Sequence, residues 1–304
     1  MTIRIATRGS LLALWQANWT KSELERREPG LSVELVVLKT RGDKILDRAL
    51  SEVGGKGLFV KEIEDALLDG RAEVAVHSMK DLPAELAPGL EVVAIPERED
   101  PRDALVVRPG LSVTSVRELP QGAKVGTSSL RRLCQLRAMR PDLVIEALRG
   151  NVDTRLGRVE RGEYDAIVLA CAGLRRLGHA ARISAALSTE ESLPAVGQGA
   201  LAIECRSNDA ATRARLAPLS HAKSARAVAA ERSALSRLQG GCQTPLAAYA
   251  IMEDGELFLR GLVGSADGTK ILRAEARGTD GRAIGIRVAD ELLAAGADKL
   301  LHAT

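Results

Sequence analysis

Short apolar runs alternate with longer amphipathic stretches over the first two-thirds of the chain. Residues 3–7, 33–38, 74–77, 91–95, 104–107, 124–127, 143–147, 166–170 and 200–204 have the length and composition of strands. Between them, 10–27, 57–68, 128–139 and 152–161 carry apolar positions at helical spacing. Strand–helix alternation with short connections predicts an α/β fold of parallel sheets covered by helices.

The alternation restarts at Glu97-Arg98-Glu99-Asp100-Pro101-Arg102, a charged stretch containing proline. Leu193-Pro194-Ala195-Val196-Gly197-Gln198-Gly199 is a second Pro- and Gly-rich connection. Two such crossings let the chain leave one lobe, build another and return. From about Ala247 the style changes. Residues 246–252, 256–263 and 270–276 read as strands, joined at Glu253-Asp254-Gly255 and Ser265-Ala266-Asp267-Gly268 and followed by a helix over 282–293. Asp-Gly steps between apolar runs mark hairpins, so this part reads as a small antiparallel sheet with a helix. The expected partition is 1–96 with 197–216 as domain 1, 102–193 as domain 2, and 220–304 as a smaller α+β domain 3.

The chain of 304 residues is 45% hydrophobic and 27% charged, as in water-soluble globular proteins. Its 33 arginines far outnumber its 10 lysines. A GC-rich gene would give that total too, so only the positions of particular arginines carry weight. Aromatic residues make up 2%, which leaves few stacking platforms for bases and argues against nucleic-acid binding. Cys134, Cys171, Cys205 and Cys242 form no C-x-x-C pair and no zinc or iron–sulfur spacing, so no metal is expected. Reduced thiols, no signal-peptide pattern, and an apolar stretch at 11–15 too short to span a bilayer predict a cytoplasmic protein without membrane contact. No long apolar face is left over, which predicts a monomer.

Cations and hydroxyls gather where strands pass into helices. Thr7-Arg8-Gly9-Ser10, Gly126-Thr127-Ser128-Ser129-Leu130-Arg131-Arg132 and Leu148-Arg149-Gly150-Asn151-Val152-Asp153-Thr154-Arg155 each close a strand and open a helix. Arg175-Arg176 follows a further junction of this kind. Ligand groups collect beyond the carboxyl ends of strands in open α/β sheets, and a helix N-terminus favours anions. Ordinary capping and solvated arginines explain any single junction; their repetition predicts a ligand with several anionic groups. In Ala75-Val76-His77-Ser78-Met79-Lys80-Asp81, the residues Ser78, Lys80 and Asp81 are placed to meet it, while His77 reads as structural. Gly240-Gly241-Cys242-Gln243-Thr244-Pro245 surrounds a thiol with small residues. Whether that sulfur attacks or holds something is open on these residues alone, and no general base is evident nearby.

In order along nearly the whole chain, these clusters resemble the porphobilinogen deaminases. The marks are Arg4-Ile5-Ala6-Thr7-Arg8, Val53-Gly54-Gly55-Lys56-Gly57-Leu58-Phe59, His77-Ser78-Met79-Lys80-Asp81, residues 126–132, 148–155 and 193–200, and Glu231-Arg232 through Gly240-Gly241-Cys242-Gln243-Thr244-Pro245-Leu246. The resemblance implies two lobes like those of periplasmic binding proteins, linked by a double crossover, and a third domain carrying the cofactor cysteine. It implies a dipyrromethane joined to Cys242 by a thioether and extended by four porphobilinogen units. Hydrolysis then releases hydroxymethylbilane. Each pyrrole bears an acetate and a propionate, which gives the arginines a task. By resemblance, Lys80, Ser129, Arg131, Arg132 and Arg155 bind cofactor carboxylates. Arg8, Ser10, Lys56, Phe59, Arg149 and Arg176 bind substrate and growing chain, with residues 46–57 as a cover. Asp81 matches the catalytic carboxylate. Gly9 departs from relatives that carry a longer polar side chain there. Two other readings compete: a bilobed binding protein for a small organic anion, and a transferase in which Cys242 turns over as nucleophile.

Overall fold

The computed structural model describes residues 2–40, 42, 60–241 and 244–301. Of the residues singled out above, Lys56, Phe59 and Cys242 lie outside these, as does the expected cover at 46–57. The chain divides into two compact units, Met1–Glu99 with Ala200–Ala225, and Asp100–Gly199 with Arg226–Thr304. The path leaves the first unit and re-enters it within the two Pro-containing stretches that the sequence marks as crossings.

The first unit holds a five-stranded sheet, ordered β2-β1-β3-β10-β4. Its strands are β1 (Thr2–Arg8), β2 (Ser32–Leu38), β3 (Val74–Ser78), β4 (Leu90–Ala94) and β10 (Leu201–Arg206). Period-two alternation sends Ile3 and Ile5 of β1 to one face, where they pack with Val33, Val74, Val76, Ile203 and helix α1 (Leu11–Arg27) through Ala17 and Leu24. Ala6 and Ala75 point the other way, against Ile63, Ala66 and Leu67 of helix α2 (Lys61–Leu68). Each fully buried Ile, Leu or Val side chain contributes about 1.5–3 kcal/mol, so both faces are needed to hold the sheet.

The second unit repeats the pattern with β7-β6-β8-β5-β9, formed by Val144–Glu146, Lys124–Gly126, Ala166–Ala170, Asp103–Val107 and Ala185–Ala186. Helices α3 (Leu130–Met139), α4 (Val152–Glu160) and α5 (Cys171–Arg176) follow β6, β7 and β8. The expectation of parallel sheets is corrected in both units. The strands β10 and β5 run antiparallel to their neighbours. Each is the first strand after a crossing. The strand–helix rhythm encodes only units in which a helix carries the chain back, so a strand entered without one is free to run the other way.

Helices α6 (Ala210–Leu216) and α7 (Ala222–Arg237) precede the third sheet. That sheet is an antiparallel meander of β11 (Leu246–Glu253), β12 (Glu256–Gly264) and β13 (Ile271–Gly278), covered by α8 (Gly281–Ala294), with α9 (Ala297–Leu301) after it. The β11–β12 turn places Asp254 and Gly255 at φ 48° and 86°, as a two-residue type I′ hairpin requires.

Candidate functional site

In the first unit, β1 and β3 are parallel neighbours, so their carboxyl ends share one edge of the sheet. The half-buried Arg8 ends β1. Ser10 caps α1 by accepting a hydrogen bond from the Ala13 N–H at 3.3 Å, and the buried Thr7 donates to the Ala13 carbonyl. Next to them, Ser78 ends β3 and Met79–Asp81 form a single 3-10 turn. Gln16 of α1, which the sequence reading passed over, donates from Nε2 to Ser78 Oγ at 2.7 Å. The Met79 N–H donates to the Ala200 carbonyl. Lys80 and Asp81 are half-buried. Among the described residues the Asp81 side chain has no ion pair and no hydrogen bond, so its charge is not already committed.

In the second unit, β7, β6 and β8 lie side by side and parallel, which lines up three strand ends. Beyond β6, Ser128 donates to the Leu148 carbonyl at 2.9 Å rather than capping α3. Ser129 occupies the cap position with no side-chain hydrogen bond to the helix. Beyond β7, Asn151 Oδ1 caps α4 by accepting from the Thr154 N–H at 2.9 Å. Gly150 has φ 109°, and a β-carbon there would fall 2.8 Å from Thr154 Cγ2, so the turn admits only glycine. That turn presents the half-buried Arg149 and lets Arg155 donate from Nε to the Gly150 carbonyl. Beyond β8, Arg176 at the end of α5 is half-buried and donates to the Gly199 carbonyl at 2.7 Å. Each arginine is thus held by a backbone oxygen or a tight turn.

Arg131 and Arg132 turn inward. Arg131 is 3% exposed and Arg132 6%, and both grip the fully buried Asp103 of β5, at 2.7 Å each. Ser192 Oγ and Gln198 Nε2, from the returning crossing, donate to the same carboxylate at 2.6 and 2.9 Å. Burial alone would raise the Asp103 carboxyl; the two guanidiniums outweigh it and hold it well below the usual carboxylate range. One buried donor of this cluster, Arg131 Nε, has no partner among the described residues. Asp103 heads an apolar run, and a charge at that position was the available sequence signal.

The glycines before Cys242 differ. A β-carbon at Gly240 would meet Leu246 Cδ1 at 2.9 Å and Leu235 Cδ1 at 3.1 Å, so a larger residue there would have to push these leucine side chains aside. At Gly241 nothing lies within 4 Å. Thr244 Oγ1 donates to the Gly241 carbonyl at 2.7 Å. The other three cysteines are buried, and burial pushes the thiols of Cys134, Cys171 and Cys205 up to about 11, 12 and 11.

Solved structures similar to this chain include the VFT2 domain of BvgS from Bordetella pertussis, with 16% identity over 72% of this chain and 86% of that one and a TM-score of 0.44. A probable amino-acid ABC transporter extracellular-binding protein, YtmK from Bacillus subtilis, has 9% identity over 72% and 90% with a TM-score of 0.45. The periplasmic aliphatic sulphonate binding protein SsuA from Escherichia coli has 16% over 78% and 70% with a TM-score of 0.40. These likenesses are too distant to say what this chain binds. Two family models together match more of it. One, described as porphobilinogen deaminase, dipyromethane cofactor binding domain, covers residues 3–214, and one described as porphobilinogen deaminase, C-terminal domain, covers 225–294. Matched by both models in order and over most of its length, this chain belongs to the porphobilinogen deaminase family.

Proposed function

We propose how this chain carries out its family's reaction, in which four porphobilinogen molecules are deaminated and coupled head to tail on a dipyrromethane primer, giving hydroxymethylbilane and ammonia. The activity and the cofactor follow from the family. The residue roles are our reading, and the uncommitted, half-buried carboxylate of Asp81 at the β1–β3 edge carries it. The donor set suits a ligand rich in carboxylates: Arg149, Arg155 and Arg176 stand at aligned strand ends, and Arg131 Nε is a buried N–H in want of an acceptor. A charge-assisted hydrogen bond contributes about 1.5–3 kcal/mol, so several hold a polyanion firmly. Lys80, Ser129, Arg131, Arg132 and Arg155 would hold the dipyrromethane, and Cys242 would anchor it by a thioether. Arg8, Ser10, Lys56, Phe59, Arg149 and Arg176 would receive substrate.

When bound, the dipyrromethane supplies the free pyrrole carbon to which the substrate's methylene is joined. As the C–N bond of porphobilinogen breaks, ammonia departs with the bonding pair and the methylene pyrrole left behind is cationic. Asp81 stabilises that charge by accepting a hydrogen bond from the pyrrole N–H. It can also take up the proton lost from the attacked ring carbon. The strand-end arginines keep the substrate's acetate and propionate oriented throughout. The three-domain partition 1–96 with 197–216, 102–193 and 220–304 belongs to this proposal, as do a monomeric state, a cytoplasmic location and the absence of a nucleic-acid partner. No helix of the described residues is long and apolar enough to cross a membrane.

The intact mass of the purified protein tests the anchor. An excess equal to two linked pyrroles, absent in Cys242→Ser, is expected. Active protein with the mass of the bare chain would overturn the assignment and favour a thiol that turns over.

A further inference from the structure

Strand β3 is buried along Val74, Ala75, Val76 and His77, so an apolar side chain at position 77 would fit its surroundings. Instead His77, 6% exposed, places Nε2 3.0 Å from Oε2 of Glu204, which is fully buried on β10. A carboxylate only accepts, so the ring donates. The register pairs Ala75 with Glu204 and His77 with Ala202, which puts both ionisable side chains on the sheet face packed against α2. Glu64 of α2 faces the same place, and its carboxyl is pushed upward first by burial and then by the Glu204 charge. The second oxygen of Glu204 is buried with no partner among the described residues.

Such a pair is a poor stabiliser. Taking two ionisable groups out of water costs about as much as their attraction returns, and apolar replacements of similar volume are often neutral or better. Its position is more telling. His77 stands four residues before Asp81, and the turn between them is fastened twice more, by Gln16 Nε2 to Ser78 Oγ at 2.7 Å and by the Met79 N–H to the Ala200 carbonyl at 3.0 Å. Three restraints, from α1, from β10 and from Ala200 just before it, therefore act on His77, Ser78 and Met79, which lead into Asp81.

We propose that the buried His77–Glu204 hydrogen bond is a positioning device for the reaction: it fixes the end of β3 so that Lys80 and Asp81 are presented in one orientation. This rests on the assignment of Asp81 as the catalytic carboxylate. His77 and Glu204 are positioning residues, acting through the turn. The bond's geometry matters, and the charge on Glu204 does not, because an amide oxygen can accept the same hydrogen bond.

The test compares four variants of the full chain, each confirmed by mass to carry its dipyrromethane. In His77→Leu/Glu204→Leu the thermal midpoint should hold or rise while kcat falls about 10- to 100-fold, as for a small misplacement of a reacting group, with KM unchanged. Glu204→Asp, one methylene too short to reach His77, should lose kcat in the same way, and it decides the matter if the double variant does not fold. Glu204→Gln keeps the acceptor and should retain both kcat and the pH profile. Wild-type kcat in the double variant or in Glu204→Asp overturns the inference, and so does a loss in Glu204→Gln matching that in Glu204→Asp. Asp81→Asn separates the two readings. If it is active, the catalytic assignment has failed; if it is inactive while the double variant turns over normally, only the positioning role has failed.

Discussion

Carboxylates with opposite surroundings divide the work at the residue scale. Asp81 is half-buried at a strand end with no ion pair among the described residues, whereas Asp103 is fully buried beneath two guanidiniums. Only the first has charge to offer a substrate. Asp81→Asn keeps the shape and removes that charge, so kcat should fall by about 10²- to 10³-fold, the loss typical of a missing electrostatic stabiliser. The dipyrromethane should remain attached, as intact mass will report. Cys134, Cys171 and Cys205 are buried. With burial lifting Cys134, Cys171 and Cys205 to about 11, 12 and 11, these thiols stay protonated at pH 8. Alkylation of protein prepared without its dipyrromethane should therefore label one site quickly, and Cys242→Ser should abolish that label. Rapid labelling of a second site would contradict the burial of the other three.

Among the elements, the knot around Asp103 joins segments far apart in sequence. It ties β5, α3 and the returning crossing together through Arg131, Arg132, Ser192 and Gln198. Asp103→Asn removes one charge and leaves two buried guanidiniums uncompensated, which should cost about 3–5 kcal/mol in a urea melt at pH 7. The pH dependence has a definite sign. The folded carboxyl titrates below its unfolded value of about 3.9, so its contribution is complete above that value and is lost as pH falls through the folded one. The stability gap between wild type and Asp103→Asn should narrow as melts are taken from pH 6 towards pH 3. A constant gap would mean that the carboxylate's charge is not what the knot depends on. The cap of α4 is a smaller, separable contribution: Asn151→Ala should lose about 1 kcal/mol.

For the whole molecule, the strand ends are legible in the sequence. The strands at 3–7, 33–38, 74–77 and 166–170 lie within a residue of those observed, because each is an apolar run bounded by polar or turn-forming residues. The meander and its Asp254-Gly255 turn were legible for the same reason. The two-residue strand Ala185–Ala186 carries too few positions to leave a period, and the alanine-rich α7 offers little contrast between its faces. The junctions bearing Arg8, Arg149, Arg155 and Arg176 could be found because cations recur there. Gln16 could not: its partner Ser78 lies 62 residues away, and nothing local marks either. Sedimentation at assay concentration should give the mass of one chain, whereas a dimer would reveal a partner surface that the apolar pattern does not announce.

Local patterning, then, was enough to set the elements, the two crossings and the supply of cations and carboxylates, since period, turn chemistry and residue type act over a few positions. The direction of β5 and β10, the inward turn of Arg131 and Arg132 onto Asp103, and the pairing of His77 with Glu204 across 127 residues were decided only on folding. Which carboxylate is buried and which left available depends on what packs around it. The desolvation and Coulomb energies that fix those roles arise when distant segments meet.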